Sequence, residues 1–199
     1  EKRILRDKSN EDLSIMRKRL ALQLEDKLII SLKKLGIPNV RFKVVFEECE
    51  PTINGIDKVK FMFSANPGLP LAPLAETASG GEKSRILLAI KAIFSSFDEP
   101  NLLIFDEIDS GVSGSISNYV AKLLCELSNY RQVFCVTHQP LIAAFADNHF
   151  ALKKSVVSGH TKSDVINLKQ IADRQRELAL LAGGEIVEAN AYAASLLEH

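Results

Sequence analysis

Apolar positions in the first part of the chain follow a helical step. Leu13, Met16, Leu20, Leu24, Leu28, Leu32 and Leu35 recur every three or four residues, and the positions between them are dense in Lys, Arg, Glu and Asp. Residues 1–35 hold neither Gly nor Pro. A single apolar stripe on a charged cylinder is the pattern of an amphipathic helix. It suits one strand of a coiled coil, or a surface helix lying on a globular core. Gly36-Ile37-Pro38 ends it. The period then shortens to two. Val40–Glu47 and Lys58–Ser64 read as strands, the second alternating Val59, Phe61 and Phe63 with mostly polar neighbours, and Pro51–Gly55 supplies turn residues between them. Asn66–Pro73 holds three prolines and a glycine, which predicts a loop. From Ser79 onward, short apolar runs alternate with helical stretches: helix 82–97, strand 102–106, helix 113–129, strand 132–137, helix 140–146 and strand 148–153. That alternation predicts an α/β fold with a parallel sheet flanked by helices. Val165–Leu168 adds a further strand, and Ile171–Ala182 a helix closed by Gly183-Gly184.

Composition narrows the class. The 199 residues are 46% hydrophobic, and Lys+Arg balance Asp+Glu at 25 each. This is globular composition, and it excludes a disordered charged tail, a collagen-like chain and a low-complexity repeat. Zero formal charge gives no global attraction to nucleic acid, and Lys33, Lys34, Arg41, Lys43, Lys153 and Lys154 are scattered rather than clustered. Ile86–Phe94 is interrupted by Lys91, far short of a membrane span. No signal peptide opens the chain and its first residue is Glu1, so the expectation is a piece of a cytoplasmic protein, with 197–199 set aside as a possible tag remnant. Cys49, Cys125 and Cys135 are widely spaced and odd in number, which argues against a disulfide framework or a structural zinc site. They read as inert thiols.

Three clusters carry the candidate chemistry. In Ser79-Gly80-Gly81-Glu82, Ser79 and Glu82 fit a capping box, and the two glycines between them allow close approach to the backbone at a helix N-terminus. The positive end of that helix suits an anion, although a plainly capped helix explains the pattern as well. In the second cluster, Leu102-Leu103-Ile104-Phe105 runs directly into Asp106-Glu107. Ligands in parallel α/β sheets bind at the carboxyl ends of strands. There Asp106 suits Mg²⁺, which prefers oxygen ligands, and Glu107 suits a role in orienting or deprotonating water. Asp109-Ser110-Gly111-Val112-Ser113-Gly114 then leads into the next helix. In the third, Val133–Val136 ends in Thr137-His138-Gln139, placing His138 at a second strand end.

In this order and at this spacing, the three clusters resemble the signature motif, Walker B, D-loop and H-loop of an SMC-like ABC-type ATPase. The wording of Asn66-Pro67-Gly68, Ala78–Glu82, Asp106–Gly114 and Val136–Pro140 is similar to the bacterial recombination and repair branch of that family. The resemblance implies the C-terminal lobe of an ABC/SMC-type ATPase head over 37–196, with residues 1–36 as the end of a coiled-coil arm. It implies ATP and Mg²⁺ as cofactors. Asp106 would serve the metal, Glu107 and His138 would be catalytic, and Ser79, Gly80, Gly81 and Glu82 would meet nucleotide held by a second head. Asp109, Ser110 and Gly111 would form the D-loop at that dimer seam. The partners implied are the P-loop lobe of the same protein, a second copy of the head, and DNA. None of the ten glycines is followed by Lys, so the chain carries no P-loop and reads as half of a head. Two other classes compete: a metal-dependent phosphatase or nuclease built on Asp106, Glu107, Asp109 and His138, and a non-catalytic coiled-coil docking module.

Overall fold

A computed structural model describes residues 1–77, 80–95, 102–157, 160–184 and 186–198. The chain divides into two compact units, Glu1–Phe94 and Ser95–His199.

The first unit opens with helix α1 (Lys2–Lys34), followed by strands β1 (Arg41–Thr52) and β2 (Gly55–Ser64). The short strand β3 (Ala72–Pro73) and helices α2 (Leu74–Thr77) and α3 (Gly80–Ile93) complete it. β1 and β2 pair antiparallel, with Phe42 opposite Phe63 and Val44 opposite Phe61. Alternation turns Phe42 and Phe63 inward, where they are buried along with Leu28, Leu32 and Leu35 of the helical stripe and Ile86 and Leu88 of α3. The stripe thus behaves differently along its length. Its C-terminal part is core, whereas its members Met16 and Leu20 are exposed, as are Ile4, Leu5, Ile15 and Leu22 elsewhere on the helix.

Two polar ties hold α1 to the hairpin. Asp57 accepts from Ser14 Oγ at 2.8 Å and lies 3.4 Å from Arg17 Nη1. Glu25, buried in the helix, accepts the Val44 backbone N–H at 2.9 Å and the Lys43 ammonium at 2.7 Å. Gly55 turns the hairpin at φ +97°, where a Cβ would press on Arg17 and Leu13 at 3.1 Å. The Asn66–Pro73 stretch is not wholly loop, since Ala72–Pro73 pairs with Met62–Phe63. A proline is tolerated there because β3 is a two-residue edge that needs few ladder bonds.

The second unit contains β4 (Leu102–Phe105), α4 (Ser115–Ser128), β5 (Gln132–Cys135), α5 (Pro140–Ala144), β6 (Phe150–Val157) and β7 (His160–Asn167). Helices α6 (Ile171–Leu181) and α7 (Val187–Leu196) close it. β4 and β5 form the expected parallel pair. The strand anticipated at 148–153 does not extend that sheet: β6 pairs antiparallel with β7 along all eight residues. Only two residues separate the strands, which is too little chain for a crossover to a parallel neighbour. The α7 helix had no forecast. It forms because Ala189 and Ala193 pack on Leu178 and Ala179 of α6 and on Ala143 of α5, and so small a set of side chains leaves a weak apolar period. The Arg174 guanidinium donates to the carbonyls of Ala144 and Ala146 at 3.0 and 2.8 Å, tying α6 to the end of α5. Among the described residues no helix is long and apolar enough to cross a membrane.

Candidate functional site

The parallel register fixes where the chemistry gathers. Leu102 lies opposite Gln132 and Phe105 opposite Cys135, and the Val136 N–H donates to the Phe105 carbonyl at 2.9 Å, one step past the ladder. Both strands therefore end on the same side. Asp106 and Glu107 leave β4 beside Thr137, His138 and Gln139 leaving β5. The strand pleat sends Leu103 and Phe105 into the core, while Leu102, Ile104, Phe134 and Val136 remain exposed on the other face.

Burial along the end of β4 changes rhythm at Glu107. Phe105 is buried, Asp106 and Glu107 are both exposed, and Ile108 and Asp109 are both buried. The cause is a backbone turn: Glu107 adopts φ +56°, a left-handed conformation unusual for a residue with a side chain. Its N–H donates to Asp106 Oδ1 at 2.9 Å, and its carbonyl accepts the Ser110 N–H at 3.1 Å. A second turn follows, from the Val112 N–H to the Asp109 carbonyl. Gly111 and Gly114 supply further positive φ values of 69° and 56°.

Asp109 is the centre of the arrangement. Only 2% exposed, it points its Oδ2 at the turn that follows β5. That oxygen accepts from Thr137 Oγ1 at 2.5 Å, from the His138 backbone N–H at 2.8 Å and from the Gln139 backbone N–H at 3.2 Å. It also lies 3.1 Å from His138 Nδ1, although the His138 side chain is 71% exposed. A further tie runs from Gln139 Nε2 to the Val112 carbonyl at 3.1 Å. Burial, reinforced by the negative charges of Asp109 and then Asp106, pushes the Cys135 thiol up to about 12. That thiol is no nucleophile at neutral pH.

Asp106, Glu107, Asp109, Ser110, Gly111 and His138 are thus gathered at one end of the parallel pair. Gly80, Gly81 and Glu82 form the first turn of α3 in the other unit, with Gly81 buried. Beneath them the Arg85 guanidinium is held below its ordinary value by burial, partly offset by Glu82. Ser79, and with it the capping box, lies outside the described residues. Thr137 and Gln139 were not singled out as site residues. Their only signal was a polar triplet terminating an apolar run.

Asp106 is an exposed carboxylate at a strand end, the donor type and setting that suit Mg²⁺ sharing its shell with water and phosphate. Among the described residues no group of three or more His, Cys, Asp or Glu side chains is placed to hold a metal by itself. A self-contained metallohydrolase site has no support there.

Comparison with known proteins shows what the chain as a whole is similar to. No family model matches the chain. It is 44% identical over 202 residues to the DNA repair protein RecN of Synechocystis, covering 94% of this chain and 35% of that protein. It is 37% identical over 194 residues to RecN of Bacillus subtilis, with 89% and 34% covered, and 38% identical to RecN of Deinococcus radiodurans, with 92% and 32% covered. The chain spans about a third of the length of these relatives. Among solved structures it is similar to an Smc head domain with a coiled coil and joint derived from Pyrococcus yayanosii. The TM-score there is 0.56 at 24% identity, over 82% of this chain and 29% of that one. It is also similar to an SmcHead bound to the C-winged helix domain of ScpA, with a TM-score of 0.50 at 22% identity, over 76% and 44%. The fold is that of an SMC-type head, of which this chain is the C-terminal lobe.

Proposed function

Along about 90% of its length the chain matches the C-terminal part of the RecN family of DNA repair proteins, and from that premise we propose that it is the C-terminal half of an ATP-hydrolysing, SMC-like head. The observation that carries the reading is the convergence of Asp106 and Glu107 with His138 at the carboxyl ends of two paired parallel strands. The exposed apolar face of that ribbon supports it. Parallel sheets are normally covered on both faces, and Leu102, Ile104, Phe134 and Val136 are exposed apolar side chains on one face of this pair. We assign the cover to the P-loop lobe, encoded in the part of the full-length protein outside this chain. The domain division follows: residues 1–36 are the end of a coiled-coil arm, consistent with the exposed Ile4, Leu5, Ile15 and Met16, and 37–196 are the lobe.

ATP, when bound, would supply the phosphoryl group, and Mg²⁺ would neutralise its charge. This chain's residues position and polarise. Asp106 offers the oxygen ligand to the metal. Glu107, set in its strained turn with an exposed carboxylate, orients water and takes its proton. His138 reaches toward the terminal phosphate. The first turn of α3, with Gly80 and Gly81, offers backbone N–H groups and a positive helix end to nucleotide held by a second head, a contact to which we also assign Ser79, the preceding residue in sequence. Ser110 and Gly111, both exposed, are the D-loop surface at that seam. Binding of DNA belongs to the assembled protein, which we place in the bacterial cytoplasm.

Phosphoryl transfer is catalysed mainly by positioning and charge stabilisation, so a lobe without a P-loop has almost no turnover alone. In the intact protein, Glu107→Gln is expected to accumulate ATP-bound head dimers, and Ser79→Arg to prevent them, as read by sedimentation with ATP. Robust Glu107-dependent hydrolysis by the isolated chain, or identical sedimentation of the two variants, refutes the reading.

A further inference from the structure

We infer that Asp109 is a positioning residue that fastens the turn carrying His138, and that Thr137 and Gln139 are the receiving half of this clasp. The inference rests on the reading that His138 and Glu107 serve ATP hydrolysis, and it gives Asp109 a task inside its own chain.

The geometry is specific. One carboxylate oxygen, on a side chain that is 2% exposed, gathers a hydroxyl and two successive backbone N–H groups from residues 28 to 30 positions away. Hydrogen bonds to an ionised acceptor are shorter and stronger than neutral ones, and a buried carboxylate needs several of them to offset its lost hydration. Thr137 Oγ1 in turn accepts the Gln139 N–H at 3.0 Å, so Thr137, His138 and Gln139 are tied together as one turn. The same oxygen stands 3.1 Å from His138 Nδ1. A proton on Nδ1 donated to Oδ2 leaves Nε2 as the outward nitrogen, which is how a carboxylate fixes the tautomer and direction of a working histidine. Asp109 lies two residues beyond Glu107. The loop that sets the water-orienting carboxylate therefore also sets the phosphate-sensing imidazole, and a shift in one moves the other.

The test uses the intact ATPase and separates positioning from folding. Asp109→Asn and Thr137→Val are expected to lower kcat at least tenfold while leaving ATP-analogue binding within about twofold. Thr137→Ser, which keeps the hydroxyl, is expected to restore kcat to within about threefold of wild type. Because Asp109 acts through His138, Asp109→Asn placed on His138→Ala is expected to lower kcat by less than a further threefold, a coupling that a merely structural role would not produce. Full additivity in that cycle overturns the inference, as does wild-type turnover by Thr137→Val, which remains decisive if Asp109→Asn fails to fold. Glu107→Gln is the control. If it abolishes turnover while Asp109→Asn and Thr137→Val do not, the clasp is wrong and the ATPase reading stands. If it leaves turnover intact, the ATPase reading fails and the clasp falls with it.

Discussion

Glu107 is strained where it is exposed, which makes stability and function separable at this residue. At φ +56° an L-residue pays roughly 1–2 kcal/mol against its preferred conformations. Glycine pays almost none of this in the folded state, but its unfolded chain has more freedom to lose, worth about 0.4–1 kcal/mol. Because the Glu107 side chain is exposed, its removal forfeits little packing. The difference leaves Glu107→Gly about 0.5–1 kcal/mol more stable than the wild type, whereas Glu107→Gln keeps the strain and should be neutral. Glu107→Val, β-branched and least tolerant of a left-handed backbone, should lose about 1 kcal/mol. Urea unfolding of the chain reads all three. At a slope of about 1–3 kcal/mol per molar, the Gly variant's midpoint should rise by a few tenths of a molar with the slope unchanged. In the intact protein both Gly and Gln variants should lose hydrolysis, so that one of the two inactive proteins is also the more stable. A Gly variant destabilised by 1 kcal/mol or more, or a Val variant as stable as wild type, would refute the argument that the turn is held against its preference.

Two further predictions concern the supporting structure. Glu25→Ala removes the acceptor of the Val44 N–H, and a donor left unmade at a half-buried position should cost about 1–2 kcal/mol. Faster amide exchange at Val44 would accompany that loss, while Lys43→Met, on the exposed side of the same contact, should change little. His149 is buried, and its pKa is held below the ordinary 6.5 by that burial and then by the Arg174 charge. The unfolded chain therefore takes up a proton that the folded chain resists, and stability should fall as pH drops below about 6.5 toward the lower folded value. His149→Phe should flatten that part of the curve between pH 7.5 and 5.5, and an unchanged slope would show that His149 is not its source.

What could be read from the sequence was whatever repeated. The heptad-like leucines of α1 and the abrupt passage from Leu102–Phe105 to Asp106-Glu107 are local patterns, and local patterns survive into structure because each reports one face or one strand end. Pairing is less legible. Nothing in Phe150–Val157 announces that its neighbour is β7 rather than β5, because strand partners are chosen by chain length between strands and by the surfaces left open, not by composition. Helix α7 was hidden for a related reason. Ala189 and Ala193 bury little area each, and they become a face only when α6 is already opposite them.

The same distinction explains the site. Asp106, Glu107 and Asp109 are three carboxylates within four positions, chemically near-equivalent in a sequence, and a resemblance assigns them roles without saying which way each one faces. The structure separates them through one backbone angle. If Glu107 continued the strand, alternation would bury Glu107 and expose Ile108. The left-handed turn at 107 instead leaves 106 and 107 both exposed and places Ile108 and Asp109 inside. Ile108 repays the turn with complete burial, and Asp109 with its bonds to the His138 turn. The two exposed acids, to which we assign metal and water, and the one buried acid, to which we assign order, then follow from a single strained residue rather than from three separate designs. The strain at Glu107 and the clasp at Asp109 are one device, which is why perturbing either should be felt at His138.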